Sequence, residues 1–271
     1  CFMYPTIQIF GREIATYALF AAAGILAVLA WLFAASSRRK LPPENAVITG
    51  LVSCIGVFLG GHVLYTLTNL PNMILAFSHY NAFPDFWTFI QHLLSLMGGM
   101  VFYGGLLGGI AAAWVYMRIA KLNIPAYADL FAPAVPLFHV FGRVGCFFGG
   151  CCYGIEWPGG FVYTHAPIPE ANGVARLPVQ LIEAGWNLLL FLALALLLYK
   201  GLCRGILFFV YLLCYAPARF ILEFFRGDTL RGVWFGLSTS QWISLLLILA
   251  AVFGLWRRAY RLKKQQYNKA E

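Results

Sequence analysis

The sequence predicts an all-α integral membrane protein, a bundle of about seven transmembrane helices with its N-terminus outside and its C-terminus cytoplasmic. Three observations point there. Of 271 residues, 61% are hydrophobic and 11% charged, with a mean hydropathy of +0.77, outside the range of soluble globular domains. Seven apolar runs punctuate the chain, most near the ~20 residues that a helix needs to cross a bilayer. Once these runs are laid out as spans, the basic residues fall mainly on one side.

In chain order the runs cover about residues 14–35, 46–68, 97–117, 126–142, 178–199, 205–225 and 241–256. The first is too long, and too closely followed by other spans, for a cleaved signal peptide. The fourth is short and holds Pro133 and Pro136, so a kinked or partly buried helix is expected, its freed backbone groups satisfied by neighbouring helices. With the N-terminus outside, the inner segments carry Arg38, Arg39, Lys40, Arg118, Lys121, Lys200, Arg204 and the basic cluster from Arg257 to Lys269. The outer side and its rim carry Arg12, Arg143, Arg176, Arg219, Arg226 and Arg231. That asymmetry accounts for most of the net charge of +9 and makes the RRAYRLKKQQYNK tail a juxtamembrane segment facing anionic lipid. Nucleic acid is not expected as a partner, because the basic residues are dispersed over loops. No soluble domain, internal repeat or low-complexity linker is visible, so residues 1–271 are read as a single polytopic membrane domain with outer-face loops at about 69–96 and 144–177. The chain opens at Cys1 rather than Met, as a processed or truncated start would.

The unusual polar residues collect on the outer half. Arg143 closes an apolar run and leads into glycines and cysteines, in APAVPLFHVFGRVGCFFGGCCYG. A guanidinium at the rim of a bilayer is costly unless it meets an anion, which points to phosphate. In ARFILEFFRGD, Arg219, Glu223 and Arg226 are spaced four and three apart and share one helical face. Two readings stand: an interfacial ion pair that fixes helix register, or a carboxylate that poses Arg219 so that its remaining donors take a phosphate. In GGMVFYGGLLGG the small residues allow close helix approach, while Tyr103 sets a phenol between glycine pairs where a ligand could be reached.

These blocks carry a resemblance. The chain resembles bacterial prolipoprotein diacylglyceryl transferases through ATYALFAAAG in the first span, FYGGLLGG, GRVGCFFGGCCYG, LPVQLIEA, ARFILEFFRGD and GLSTSQWISL, in that order along nearly the whole length. The resemblance implies an enzyme of the bacterial cytoplasmic (inner) membrane that moves the diacylglyceryl group of phosphatidylglycerol to the lipobox cysteine of a preprolipoprotein signal peptide, releasing glycerol phosphate. No cofactor is implied. By position in these motifs, Arg143 and Arg219 match the family's phosphate contacts, and Glu223 and Arg226 its supporting pair. Tyr17 matches its first-span tyrosine, and Tyr103 stands at a catalytic position. Gly104, Gly105, Gly142, Gly145, Gly154, Gln180 and Glu183 fall on positions that shape the substrate site.

The pattern is departed from at three places. Best-known members have His where this chain has Tyr103, whose ordinary pKa of ~10 makes it a poorer base at neutral pH. They have Asn and Glu where it has Cys146 and Cys151. His139, one turn before Arg143 on the same face, is a weaker candidate for the base. A local disulfide from Cys146 to Cys151 or Cys152 is the favoured reading of the outer cysteines. No metal is expected: with His165 the cysteines number four ligands, but C-x4-C-C is not a recognised zinc spacing and adjacent ligands make tetrahedral closure awkward. Two alternatives keep the scaffold, a lipid transferase with another acceptor and a non-catalytic phospholipid or lipoprotein binder. A transporter is disfavoured because the charged residues cluster on one side.

Overall fold

Apolar composition and glycine spacing yield a mostly helical chain in the computed structural model, which describes residues 5–9, 11–228 and 232–270. Cys1 and Arg231 lie outside the described residues. The helices are α1 (Thr16–Arg38), α2 (Pro43–Thr68), α3 (Leu70–Ser78), α4 (Phe86–Met97), α5 (Phe102–Ile119), α6 (Ile124–Phe148), α7 (Val179–Tyr199), α8 (Leu207–Leu222) and α9 (Thr239–Ala270). Among the described residues, six are long and apolar enough to cross a membrane: α1, α2, α6, α7, α8 with its 3₁₀ extension, and α9. The remaining expected run is occupied by α5, of 18 residues. The chain divides into two compact units, Cys1–Ala35 with Pro125–Glu271, and Ser36–Ile124.

Three helices end by the same device. Lys40 (φ 55), Lys121 (φ 52) and Gly201 (φ 69) take the left-handed conformation. The following N–H groups of Leu41, Leu122 and Leu202 then reach back to the carbonyls of Ser36, Met117 and Leu197, each at 2.9 Å. This satisfies carbonyls that would otherwise be orphaned at the ends of α1, α5 and α7.

In the unit Ser36–Ile124, glycines four apart join α2 to α5. A Cβ on Gly104 would run into the Gly60 carbonyl, one on Gly108 into that of Gly56, and the reverse pairs clash as well. Bare backbones therefore meet, gaining dispersion contacts that no side chain could make. Polar bonds line the seam: Ser53 Oγ donates to the Gly109 carbonyl (3.2 Å), and Tyr116 Oη to Asn45 Oδ1 (3.1 Å). The stretch 69–96, expected as an outer loop, is largely helical. The Asp85 carboxylate accepts from Thr88 N at 2.8 Å and caps α4. Phe77, Tyr80 and Phe83 gather around the buried ring of Phe89 at 4.9–5.3 Å.

In the other unit, α6 continues through Pro133 and Pro136 and runs to Phe148. It is longer than the apolar run, so Arg143 lies inside the helix and does not end it. Asp129 on α6 accepts from Gly205 N and Leu207 N (3.0 Å for the latter), capping α8 from a neighbouring helix. A reciprocal cap starts α9: Gln241 Oε1 accepts from Ser238 N (2.9 Å) and Ser238 Oγ from Gln241 N (3.3 Å).

Three small antiparallel pairs were not anticipated by an all-α reading. They are β1 (Thr6–Ile9) with β2 (Arg12–Ala15), β3 (Glu156–Val162) with β4 (Ala175–Arg176), and β5 (Val233–Trp234) with β6 (Leu237–Ser238). All lie in segments between or before spans, where backbone groups need partners that no helix supplies.

The α2–α5 seam and the exposed face of α7 predict opposite outcomes for two glycine substitutions. Gly60→Leu forces the backbones apart and is expected to cost about 1–3 kcal/mol or more. A Cβ on the exposed Gly185 of α7 meets nothing within 4 Å, so Gly185→Ala is expected to gain about 0.5–1 kcal/mol from helix propensity. Thermal unfolding in detergent checks both.

Candidate active site

Three helices of one unit bring charged side chains together, and a fourth adds a hydroxyl. Glu183, on the first turns of α7, places Oε1 3.0 Å from Arg143 Nε of α6 and 3.9 Å from Arg219 Nε of α8. Arg219 Nη2 reaches Glu223 Oε2 at 2.5 Å and donates to Ser240 Oγ of α9 at 3.2 Å. The result is an alternating chain, Arg143–Glu183–Arg219–Glu223. Both glutamate side chains are 2% exposed and Arg219 8%, whereas Arg143 is 21% exposed. Buried charges of this kind hold only when paired, since an unpaired one loses its hydration without return. Arg219 Nη1 is buried and, among the described residues, has no hydrogen-bond partner. Beside Arg143, a Cβ added at Gly142 would meet nothing within 4 Å. A partly exposed guanidinium is chemistry suited to an oxyanion.

Helical spacing places Arg226 on the face of Arg219 and Glu223, and here the structure differs. α8 stops at Leu222, residues Glu223–Phe225 form a 3₁₀ turn, and Arg226 is extended (φ −83, ψ 137). Arg226 therefore leaves that face and grips Asp228 with two bonds, Nε to Oδ1 at 3.0 Å and Nη2 to Oδ2 at 2.6 Å. Its backbone bridges to Gly154. That partnership raises the affinity of Arg226 for its proton, although burial opposes it.

The outer segment after α6 is held by side chains, each with a traceable job. Gln180 is buried, with Nε2 donating to the Cys151 carbonyl (2.7 Å) and to Tyr163 Oη (3.0 Å), and so clamps the cysteine loop to α7. Arg176 donates to the carbonyls of Ala171 (3.3 Å), Gly154 (3.4 Å) and Glu170 (2.5 Å) and lies 4.5 Å over the Tyr153 ring. Gly154 has no room for a Cβ, which would strike the Leu177 carbonyl, and at Gly145 a Cβ would come within 3.3 Å of the Tyr17 ring. Tyr17, on the first turn of α1, thus packs on the helix that carries Arg143.

Cys146, Cys151 and Cys152 are free thiols, so the local disulfide expected from the sequence is not formed. Their Sγ atoms lie within 4.8 Å of one another, a spacing that can exceed twice the ~2 Å of an S–S bond. Hydrogen bonds from the thiols of Cys146 and Cys151, with Arg226 and Arg143 nearby, hold Cys152 well below the usual thiol range despite its burial.

Tyr103, Gly104 and Gly105 belong to the other unit. Gly104 meets α2 as described, Gly105 lies against Val57 of α2, and Tyr103 is half-buried on α5. His139 is half-buried on α6 with its ring 5.2 Å from that of Tyr215, and its Nδ1 is buried without a hydrogen-bond partner among the described residues. The sequence reading missed Tyr215, Ser240, Asp228 and Arg176. Tyr215 was detectable, since it stands four residues before Arg219 and beside Arg143. Ser240 and Asp228 stand inside motifs already noted, but only tertiary packing discloses their partners.

Removing the central carboxylate leaves two guanidiniums facing each other. Glu183→Ala is therefore expected to destabilise the protein by about 3–5 kcal/mol. Arg176→Met is expected to speed proteolysis between 156 and 176 while leaving the helices intact. Chemical unfolding and limited digestion are the respective checks.

Comparison with known proteins adds a family. The family described as Prolipoprotein diacylglyceryl transferase matches residues 5–257. The phosphatidylglycerol–prolipoprotein diacylglyceryl transferase of Clostridium tetani is 33% identical over 254 residues, 93% of this chain and 96% of the relative. The second such enzyme of Clostridium perfringens is 29% identical over 90% of this chain and 91% of its own, and that of Idiomarina loihiensis 36% identical over 73% and 70%. This chain belongs to the prolipoprotein diacylglyceryl transferase family.

Proposed function

We propose that this protein transfers the diacylglyceryl group of phosphatidylglycerol to the lipobox cysteine thiol of preprolipoprotein signal peptides, with release of glycerol phosphate. One observation carries this: Glu183 sits between Arg143 and Arg219 and holds two guanidiniums at one buried carboxylate. In the reaction the acceptor thiol gives up its proton to solvent, and its sulfur attacks the glycerol carbon that bears the phosphate. The C–S bond forms as the C–O bond breaks, and the electron pair departs on a phosphate oxygen of glycerol phosphate. Charge grows on the phosphate as it leaves. Arginines already oriented by buried carboxylates meet that charge without reorganisation. Glu223 poses Arg219, Arg226 with Asp228 and Gly154 braces the adjoining loop, and Gln180 fixes the rim. Tyr17 packs on α6 at Gly145.

We also assign seven crossings in the bacterial cytoplasmic membrane, α5 being the seventh, with the N-terminus outside and the C-terminus cytoplasmic. The positive-inside distribution supports this, as do the basic residues at or beside the ends of α1, α5, α7 and α9. The units then act as a single membrane domain.

Purified protein in detergent, given phosphatidylglycerol and a lipobox peptide, is expected to add a diacylglyceryl mass to the peptide and release glycerol phosphate. A peptide with serine for cysteine should gain nothing. No gain from folded, lipid-bound protein would overturn the assignment. Arg143→Ala and Arg219→Ala are each expected to lower turnover by roughly 10²–10³-fold, and lysine at either position to rescue poorly because the planar fork is lost. Full activity in both alanine variants would remove the phosphate role.

A further inference from the structure

We propose that Cys146, Cys151 and Cys152 form a three-thiolate zinc site with its fourth position open to the acceptor thiol, a role that holds if the chain is the transferase inferred above. Coordination rather than a side-chain base would then supply the nucleophilic sulfur.

Convergence is the first ground. Cys146 lies in the last turn of α6 and Cys151 and Cys152 just beyond it, and the three Sγ atoms fall within 4.8 Å of one another. Zinc–sulfur bonds of about 2.3 Å in a tetrahedron require sulfurs about 3.8 Å apart. Small side-chain rotations close that difference. Adjacent cysteines ordinarily point apart, the objection that the sequence raises. It is met by the backbone: Cys152 takes the left-handed conformation (φ 59), which non-glycine residues adopt at a cost. That turn brings neighbouring side chains toward Cys146. It is secured from outside by Gln180 on the Cys151 carbonyl and by Cys151 N on the Cys146 carbonyl at 3.2 Å.

Environment is the second ground. Cys146 is buried and the other two are half-buried, so the cluster is closed behind and accessible in front, as a site with three protein ligands and one exchangeable position requires. Thiolates select zinc and other soft ions over magnesium or calcium. Three thiolates with Zn²⁺ carry one net negative charge, and Arg143 and Arg226 stand near enough to offset it.

Placement is the third ground. Arg143 precedes Cys146 by three residues on one helix, about 4.5 Å along its axis. A phosphate at Arg143 and a sulfur at the metal would thus lie within one turn, the separation that displacement at the intervening carbon needs. The acceptor thiol loses its proton to solvent on coordination, since a metal-bound thiol is held as thiolate. Its sulfur then forms the C–S bond as the phosphate leaves.

The test uses the full-length protein purified in detergent, freed of metal and equilibrated with zinc chloride. About one zinc per chain is expected by elemental analysis. Cys151→Ser and Cys152→Ser should each weaken zinc retention roughly tenfold or more, and Cys54→Ser, a thiol of α2, should leave it unchanged. Cobalt(II) in place of zinc should show sulfur-to-metal charge-transfer absorption that grows with the cysteine peptide and not with its serine analogue. Less than a tenth of a zinc per chain in the unaltered protein, or retention indifferent to the loop cysteines, would overturn the site. Absorption that ignores the cysteine peptide would overturn its open position. Full transfer by metal-free protein would sink the inference and leave the transferase assignment standing. Zinc-loaded protein that takes the peptide thiol yet makes no product would support the site and remove the transferase assignment.

Discussion

A single buried carboxylate organises this protein. Glu183 has almost no access to water, and its stability there depends on Arg143 and Arg219 lying within 3.0 and 3.9 Å. Each arginine in turn needs the carboxylate, because a guanidinium in an apolar bundle is costly alone. Three helices are thus bound to one register by mutual need. Two guanidiniums and two carboxylates balance in formal charge, Glu223 answering Arg219 and Glu183 lying nearer Arg143. Arg143 is the most exposed of the four side chains. Site and scaffold stability are in this sense one electrostatic arrangement.

Within each unit, backbone atoms perform much of the work. The α2–α5 seam consists of glycines whose missing side chains let carbonyls meet Cα atoms. The outer segment is fastened by carbonyls of Ala171, Gly154, Glu170 and Cys151, all recipients of Arg176 or Gln180 donors. Loops at a membrane surface lack the water that would satisfy them fully and the helix that would satisfy them internally. Long polar side chains reaching back to main-chain oxygens resolve the conflict.

The spans were legible because apolar length is a direct consequence of bilayer thickness. Arg143, Arg219 and Glu223 were legible as costly charges in apolar surroundings, and the structure brings them together with Glu183. What the sequence hid had local physical causes. Arg226 keeps helical spacing in the sequence, but the backbone changes at Glu223 and sends it to Asp228. The 69–96 stretch looks like a loop by polarity, yet an Asp85 cap and an aromatic cluster fold it into helices. Gly104 was read as a ligand neighbour, a role that spacing cannot separate from helix contact. The cysteines looked like a disulfide pair, and the left-handed turn at Cys152 that gathers all three has no signal in the sequence.

Asp129 gives the bundle a property that the charged centre alone would not. It pins the start of α8 to α6 through Gly205 N and Leu207 N, and the two helices are linked again through Glu183 near Arg143 and Arg219. These attachments lie roughly 20 Å apart along each helix, at 1.5 Å per residue. Two rods fastened at both ends cannot splay. The separation of Arg143 from Arg219 is therefore a fixed width, set from both ends of the helix pair.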